Sequence, residues 1–181
     1  MRFWANAIGY QVVWFVAVVS AARGEPWTAA AVALVFVAAQ WLASSQRDSD
    51  ARLVVCALAI GMLFDGLLAA SGWLRYASPA PALFAPAWIL AVWAAFAMTL
   101  NHSLAFLRGH HRIAAVFGAV GGSLAYLAAA RGFDAVSFVE PGWRALALLA
   151  LGWAVAMPLL AALAQHWRRH ATSLADARGV P

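Results

Sequence analysis

The sequence predicts an all-α, polytopic membrane protein, a bundle of six transmembrane helices with both termini in the cytoplasm. Composition is the first observation: 65% of the 181 residues are hydrophobic and only 10% are charged, whereas a soluble domain carries about 25% charged residues. The second is a series of apolar runs of roughly the 20 residues that cross a hydrocarbon core. The third is the placement of arginines between those runs. The length suits a single domain over 1–181.

Short breaks containing charges, glycine or proline separate the apolar runs. We expect helices over 4–22, 27–45, 53–73, 83–107, 113–130 and 145–164, with a short cytoplasmic tail over 165–181. Pro86 suits the first turn of the fourth helix, and Pro158 should kink the sixth. The fifth run is short and contains glycines, so five spans are the alternative to six. Five spans would place the termini on opposite sides of the membrane.

The arginines predict the orientation. With six spans, eight of the twelve basic residues fall on the side of the N-terminus: Arg2, Arg47, Arg52, Arg108, Arg112, Arg168, Arg169 and Arg178. The other side holds Arg23, Arg75, Arg131 and Arg144. Basic residues concentrate in cytoplasmic loops, so both termini of this multi-pass protein are expected in the cytoplasm.

Cysteine and histidine content argues against several other classes of protein. Cys56 is the only cysteine, so an internal disulfide or a cysteine metal cluster is not possible. His166 and His170 have the spacing of two metal ligands on one helix face, but Arg168 and Arg169 would repel a cation. We therefore expect no metal and no cofactor, and a basic collar that contacts anionic lipid heads. The arginines are accounted for by orientation, so no nucleic acid is expected as a partner.

Asp65 is the only acid in the run "LVVCALAIGMLFDGLLAASGW". At about 1.5 Å per residue it lies near the middle of the third helix, and Tyr126 and Ser123 of the fifth fall at a similar depth. A charged aspartate at the bilayer centre costs about 2.5–3.5 kcal/mol, so we expect Asp65 to face inward and to bond Tyr126 or Ser123. Its role is either functional, in titration or substrate contact, or structural, as a tie between helices.

A second polar level is predicted nearer the cytoplasm. Three helices bring amide or imidazole groups to it: Asn6, Gln11, Gln40, Asn101 and His102. Polar groups that face lipid find no partner, so these should also point into the bundle. They serve either as bonds between helices, worth about 0.6 kcal/mol each, or as contacts to a substrate.

Gly118 and Gly122 form a small-xxx-small face, which is typical of close helix packing in membranes. The chain contains no Gly-x-Ser-x-Gly elbow, no His-Glu-x-x-His pair and no phosphate-binding loop. Because every connection is short, any chemistry would have to occur inside the bundle or at its rim.

Scattered residues resemble one family. They are Asn6 and Gln11 within "FWANAIGYQVVWF", Asp65, the stretch "PAWILAVWAAFAMTLNHSL" at 86–104 and "GGSLAY" at 121–126. Together they resemble a domain-of-unknown-function family of small bacterial inner-membrane proteins. The resemblance implies no catalytic residue. It implies an association with lipid-modifying, cyclopropane-fatty-acid-synthase-like genes, and hence with fatty-acyl metabolism.

Our leading hypothesis is a protein that handles a lipid or fatty-acyl substrate in an intramembrane polar pocket, either presenting it to a lipid-modifying enzyme or modifying it. Asn6, Gln11, Asn101 and His102 would orient the lipid head, and Asp65 with Tyr126 would form an inner polar stop. One alternative is a small transporter that is proton-coupled through Asp65. Another is a structural or assembly subunit of a membrane complex that uses the Gly118/Gly122 face.

Overall fold

A computed structural model describes residues 2–80, 84–139 and 141–177 of the chain. Its helices are α1 (Arg2–Ala22), α2 (Pro26–Ala43), α3 (Arg47–Ala70), α4 (Ala87–Ala97), α5 (His111–Phe133) and α6 (Trp143–Ala177). A short 3₁₀ helix covers Ala105–Leu107, and two short strands, β1 (Leu74–Tyr76) and β2 (Val136–Phe138), complete the fold. The predicted all-helical class is confirmed.

Five of these helices, α1, α2, α3, α5 and α6, are long and apolar enough to cross a membrane. Their outward faces carry large apolar side chains that are about two-thirds exposed, including Leu34, Val35, Leu63, Val116 and Val155. Exposed apolar patches on this scale are stable only against lipid or another protein. The chain is therefore a multi-pass membrane protein.

Helix α4 lies at the centre of the bundle. It packs against α1, α2 and α3, while α5 and α6 pack against each other and α6 also contacts α3. Eight α4 residues are buried around the whole helix circumference, among them Trp88, Trp93 and Phe96. A helix that is apolar on every face is expected in such a central position.

The prediction of one continuous fourth helix over 83–107 is wrong. Residue 83 lies outside the described part of the chain, and the helix runs only from Ala87 to Ala97. The chain then continues in tight turns, in which the N–H groups of Thr99, Leu100 and His102 donate to carbonyls three residues earlier. Such 3₁₀ turns rise about 2.0 Å per residue instead of 1.5 Å, so the segment covers more depth than an α-helix would.

Two other boundaries differ from the prediction. Helix α3 begins six residues earlier than the predicted start at 53, because the charged stretch read as a loop forms its first turn. Asp48 and Asp50 lie in that turn, where acidic side chains interact favourably with the helix dipole. Helix α6 continues into the predicted tail as far as Ala177, and Arg178 and the rest of the tail, 178–181, lie outside the described residues.

Strands β1 and β2 pair antiparallel, with Leu74 opposite Phe138 and Tyr76 opposite Val136. They follow directly after α3 and α5, so the C-terminal ends of these two helices lie on the same side of the bundle. Both strands lie in segments that the sequence predicts to be loops. The pairing matters for the site because it fixes Tyr76 over the end of α3.

Candidate functional site

Asp65 is fully buried on α3, and three hydrogen-bond donors surround its carboxylate. The hydroxyls of Tyr76 and Tyr126 both donate to Oδ1, the former at 2.7 Å. The indole N–H of Trp93 donates to Oδ2 at 2.6 Å. We call Asp65, Tyr76, Trp93 and Tyr126 the Asp65 cluster. It ties α3 to β1, α4 and α5 through one carboxylate, an arrangement that satisfies a polar group where no water is present.

Glycine at position 61 makes the Trp93 bond possible. Gly61 lies one turn before Asp65, and a Cβ atom there would overlap the indole ring of Trp93. On its other face the Trp93 ring stacks on Trp153, with the ring centroids 4.4 Å apart and the planes 4° from parallel. The indole is therefore held from both sides in the orientation that points its N–H at Asp65.

Of the two partners expected for Asp65, Tyr126 bonds it and Ser123 does not. The hydroxyl of Ser123 is buried and has no partner among the described residues. The sequence does not predict the bonds from Tyr76 and Trp93. Tyr76 lies in a segment predicted to be a loop, and nothing in the sequence indicates that β1 returns over α3. The glycine one turn before Asp65 was the available signal that a bulky side chain from a neighbouring helix packs there.

Asn6 is fully buried and completes the hydrogen bonding at the end of α4. Its amide nitrogen donates to the Met98 carbonyl and to Gln40 Oε1, both at 3.1 Å. Its amide oxygen accepts from the backbone N–H of Ser103 at 3.2 Å and from the Ser103 hydroxyl at 2.6 Å. Met98 and Ser103 flank the break in helical bonding after α4, so Asn6 supplies partners that the broken helix no longer provides.

Asn101 and His102 belong to a different network. Asn101 Nδ2 donates to Ser49 Oγ at 3.0 Å and to Asp50 Oδ1 at 2.8 Å, and His102 Nε2 lies 3.3 Å from Asp50 Oδ2. Arg108 donates to Asn101 Oδ1 at 3.0 Å. We call these five residues the Asp50 network. Burial lowers the pKa of the Arg108 guanidinium, and the positive charge of Arg168 acts in the same direction.

Asp50 was missed because its segment was read as a loop. It is fully buried, and it lies on the same stripe of α3 as Leu53, Ala57, Gly61 and Asp65. That spacing of three and four residues is the signal by which the helix could have been extended backwards. Among the described residues, no three His, Cys, Asp or Glu side chains are grouped in a way that could hold a metal ion.

A groove of about 700 Å³ runs between α1 and α5. Its floor consists of α4 residues, including Trp93 and Phe96, together with Trp153 of α6. Along α1 it extends from Phe3 to Val18, about 22 Å at 1.5 Å per residue. Large side chains that line it are 43–57% exposed and mark its opening to the lipid-facing surface: Phe3, Phe15, Phe106, Phe117 and Leu124.

An aromatic contact joins the two walls of the groove along the second half of α1. Phe133, at the end of α5, packs edge-on against Trp14 and Phe15 of α1, with ring centroids 6.0 and 5.9 Å apart. A second edge-on contact, between Phe106 and Phe117, links the 3₁₀ helix to α5. Apolar atoms and aromatic rings make up most of the groove surface.

Of the residues predicted to form the polar pocket, Gln11 and Tyr126 line the groove, as do the two glycines predicted for helix packing, Gly118 and Gly122. The other pocket residues do not line it and belong to the hydrogen-bonded groups already described: Asn6, Gln40, Asp65, Asn101 and His102. The predicted polar level is therefore divided. Asn6 bonds Gln40, Asn101 and His102 bond Asp50, and Gln11 joins neither group.

The glycines of α5 allow α6 to pack closely against it, and this contact shapes the groove. A Cβ atom at Gly122 would overlap the Trp153 indole, and one at Gly118 would overlap the Trp153 carbonyl oxygen. This close approach brings Trp153 under α5 and into the groove floor. At Gly121, by contrast, the nearest atom to an added Cβ is Phe117 Cε1 at 3.9 Å, so this position has room for a side chain.

Fold and site together define a helical, multi-pass membrane protein with an aromatic, laterally open groove. A family model described as "Protein of unknown function (DUF2878)" matches residues 3–159. The chain belongs to this family, which covers α1 to α5 and the greater part of the membrane-spanning portion of α6. No curated protein and no solved structure matches the chain.

Proposed function

We propose that this protein binds an acyl chain of a membrane lipid in the groove between α1 and α5 and presents it to a lipid-modifying enzyme. The observation that supports the proposal is the groove itself, about 700 Å³ in volume and lined mainly by apolar side chains. Ligand sites of this kind measure about 300–1,000 Å³. Its length of about 22 Å exceeds the roughly 15 Å of one leaflet of the hydrocarbon core.

The bilayer argues for an acyl chain as occupant. A groove that opens between two membrane-spanning helices faces lipid tails, and leaving it empty would forfeit dispersion contacts along its whole wall. Moving a tail from lipid into the groove gains no hydrophobic energy, because both surroundings are apolar. Affinity would therefore come from packing against the rings of Trp93, Phe96 and Trp153.

The proposal includes a topology with six crossings and both termini in the cytoplasm. Trp88, at the start of α4, donates to the Ala77 carbonyl beside β1, at 3.0 Å. Asn101 and His102 reach the first turn of α3 at the opposite end of that helix. The segment 87–107 thus runs alongside α3 from one end to the other, which supports counting it as a crossing in the bacterial inner membrane.

The head-group role proposed for Asn6, Asn101 and His102 changes with this geometry. Their polar atoms bond other side chains or backbone and do not line the groove, so we assign them to maintaining the shape of the segment after α4. Transport ranks second among the candidate functions. A proton-coupled mechanism needs access to Asp65, and this carboxylate is fully buried behind Trp93 and Tyr126.

Filling the groove tests acyl-chain binding. Gly121→Leu places a side chain in the groove where the structure has space, whereas Gly132→Leu adds the same side chain to α5 at a site with nothing within 4 Å. A photoactivatable fatty acid should label the wild type and Gly132→Leu equally, and label Gly121→Leu several-fold less. Equal labelling of Gly121→Leu and Gly132→Leu would contradict binding in this groove.

A further inference from the structure

Four polar side chains at the middle of the groove have no hydrogen-bond partner among the described residues. They are Tyr10, Gln11, Trp14 and Trp153, and we call them the mid-groove polar band. The other polar groups that line the groove are engaged: Trp88, Trp93, Thr99, Ser103 and Tyr126 all bond protein atoms. The band is therefore distinct from the rest of the lining.

Contacts between rings bring the two sides of the band together. Phe96 packs edge-on against Tyr10 with centroids 5.9 Å apart, and edge-on against Trp153 at 5.3 Å. Tyr10, Gln11 and Trp14 follow one another within about one turn of α1. Trp153 is 8% exposed, and its indole N–H is buried without a partner.

The band lies deep in the membrane. Tyr10 is about 12 Å along α1 from Arg2, and Trp153 is about 15 Å along α6 from Trp143. These two helices begin on opposite sides in the six-crossing topology, so both residues fall near the middle of a core about 30 Å thick. Water that could satisfy a tyrosine hydroxyl or an indole N–H at the surface is absent at that depth.

We infer that the groove selects a lipid chain that carries a hydrogen-bond acceptor, a ketone or hydroxyl oxygen, near the middle of its hydrocarbon part. The Tyr10 hydroxyl, the Gln11 amide and the Trp14 indole N–H can donate into the groove, whereas the indole N–H of Trp153 is buried below its surface. An indole N–H can only donate, so an acceptor is the ligand group that suits the band. An unsubstituted chain would leave these donors unpaired, and that unpaired state lowers its affinity relative to the acceptor-bearing chain. This inference rests on the proposed function and specifies its ligand.

The test compares two probes on the full-length protein in lipid nanodiscs. Octadecanoic acid and its analogue with a mid-chain ketone are made to compete for the groove against a photoactivatable fatty acid. In the wild type the keto acid should compete about tenfold better, the ratio that one good hydrogen bond provides at about 1.4 kcal/mol. Tyr10→Phe, which removes only a hydroxyl, should reduce that ratio, and so should Trp14→Phe.

A combined variant, Tyr10→Phe with Gln11→Leu and Trp14→Phe, should lose the preference for the keto acid. Phe96→Leu is the matched control, because it trims a ring at the same level without removing a polar atom, and it should weaken both acids while keeping their ratio. Equal competition by the two acids in the wild type would overturn the inference, as would a ratio unchanged in both Tyr10→Phe and Trp14→Phe. Failure of both acids to compete would instead contradict the proposed function.

Discussion

At the residue scale, the buried carboxylate of Asp65 is the most constrained group in the molecule. Three donors from three other elements converge on it, and each would lose its partner if the carboxylate were removed. The cost of a buried donor left unpaired is larger than the net gain from making the bond. The Asp65 cluster therefore acts as a structural tie whatever further role the residue has.

Substitution of Asp65 should destabilise the protein far more than substitution of another acid on the same helix. We expect Asp65→Ala to lower the free energy of unfolding by about 3 kcal/mol or more, because each buried donor left unpaired costs about 1–3 kcal/mol. Asp48→Ala, at an exposed position in the first turn of α3, should stay within about 0.5 kcal/mol of the wild type. Denaturant titration in detergent measures both, and equal effects would argue against the tie.

Polar residues could be assigned a depth from the sequence, but their partners could not. The apolar run and helical rise place Asp65 level with Tyr126, and the two are bonded in the structure. The bonds to Trp93 and Tyr76 depend on which face of α4 meets α3 and on a strand pairing 60 residues apart in sequence. The periodicity of apolar residues predicts neither the face of α4 that meets α3 nor the strand pairing. Asn6 likewise pairs with backbone atoms that become available only because α4 ends early.

At the scale of elements, the end of α4 shows that a short polar stretch can end a helix within a segment long and apolar enough to span the membrane. The sequence from 83 to 107 is long and apolar enough for a spanning helix, yet regular helix stops at Ala97. Thr99 Oγ1 donates to the Phe96 carbonyl at 2.6 Å, and the Leu104 N–H donates to the Thr99 carbonyl. Side chains that bond nearby backbone compete with helix continuation in this way. The density of polar residues in "TLNHSL" was the local sign of the break.

Three neighbouring glycines of α5 should respond in opposite ways to the same change. We expect Gly122→Ala to lower the free energy of unfolding by about 1–3 kcal/mol, because the added methyl overlaps Trp153 and overpacks the α5–α6 contact. Gly118→Ala should act similarly through the Trp153 carbonyl. Gly121→Ala should instead stabilise by about 0.5–1 kcal/mol, since alanine restricts the unfolded chain and has room in the groove. Thermal unfolding measures the three variants. A change in stability of the same sign in all three would contradict the prediction and would indicate that the glycines serve only as flexible positions.

At the scale of the whole molecule, the number of crossings decides how the groove and the Asp50 network are placed relative to the cytoplasm. Five helices qualify as spans by length and composition, and α4 is too short to qualify alone. The segment 87–107 nevertheless makes bonds near both ends of α3: Trp88 donates to the Ala77 carbonyl just after β1, and Asn101 donates to Asp50 in the first turn of α3. A segment that contacts both ends of a spanning helix has to pass through the same thickness of membrane, which is why six crossings are proposed.

Cysteine accessibility distinguishes six crossings from five. In a Cys56→Ser background, single cysteines replace three exposed residues, Glu25 between α1 and α2, Ser45 between α2 and α3, and His110 between α4 and α5. In spheroplasts, a membrane-impermeant maleimide should label Glu25→Cys at once, and should label Ser45→Cys and His110→Cys only after the membrane is opened. If α4 turned back without crossing, His110→Cys would label together with Glu25→Cys. The Asp50 network would then face the outside, and the arginine count that predicts the orientation would have to be divided differently between the two sides.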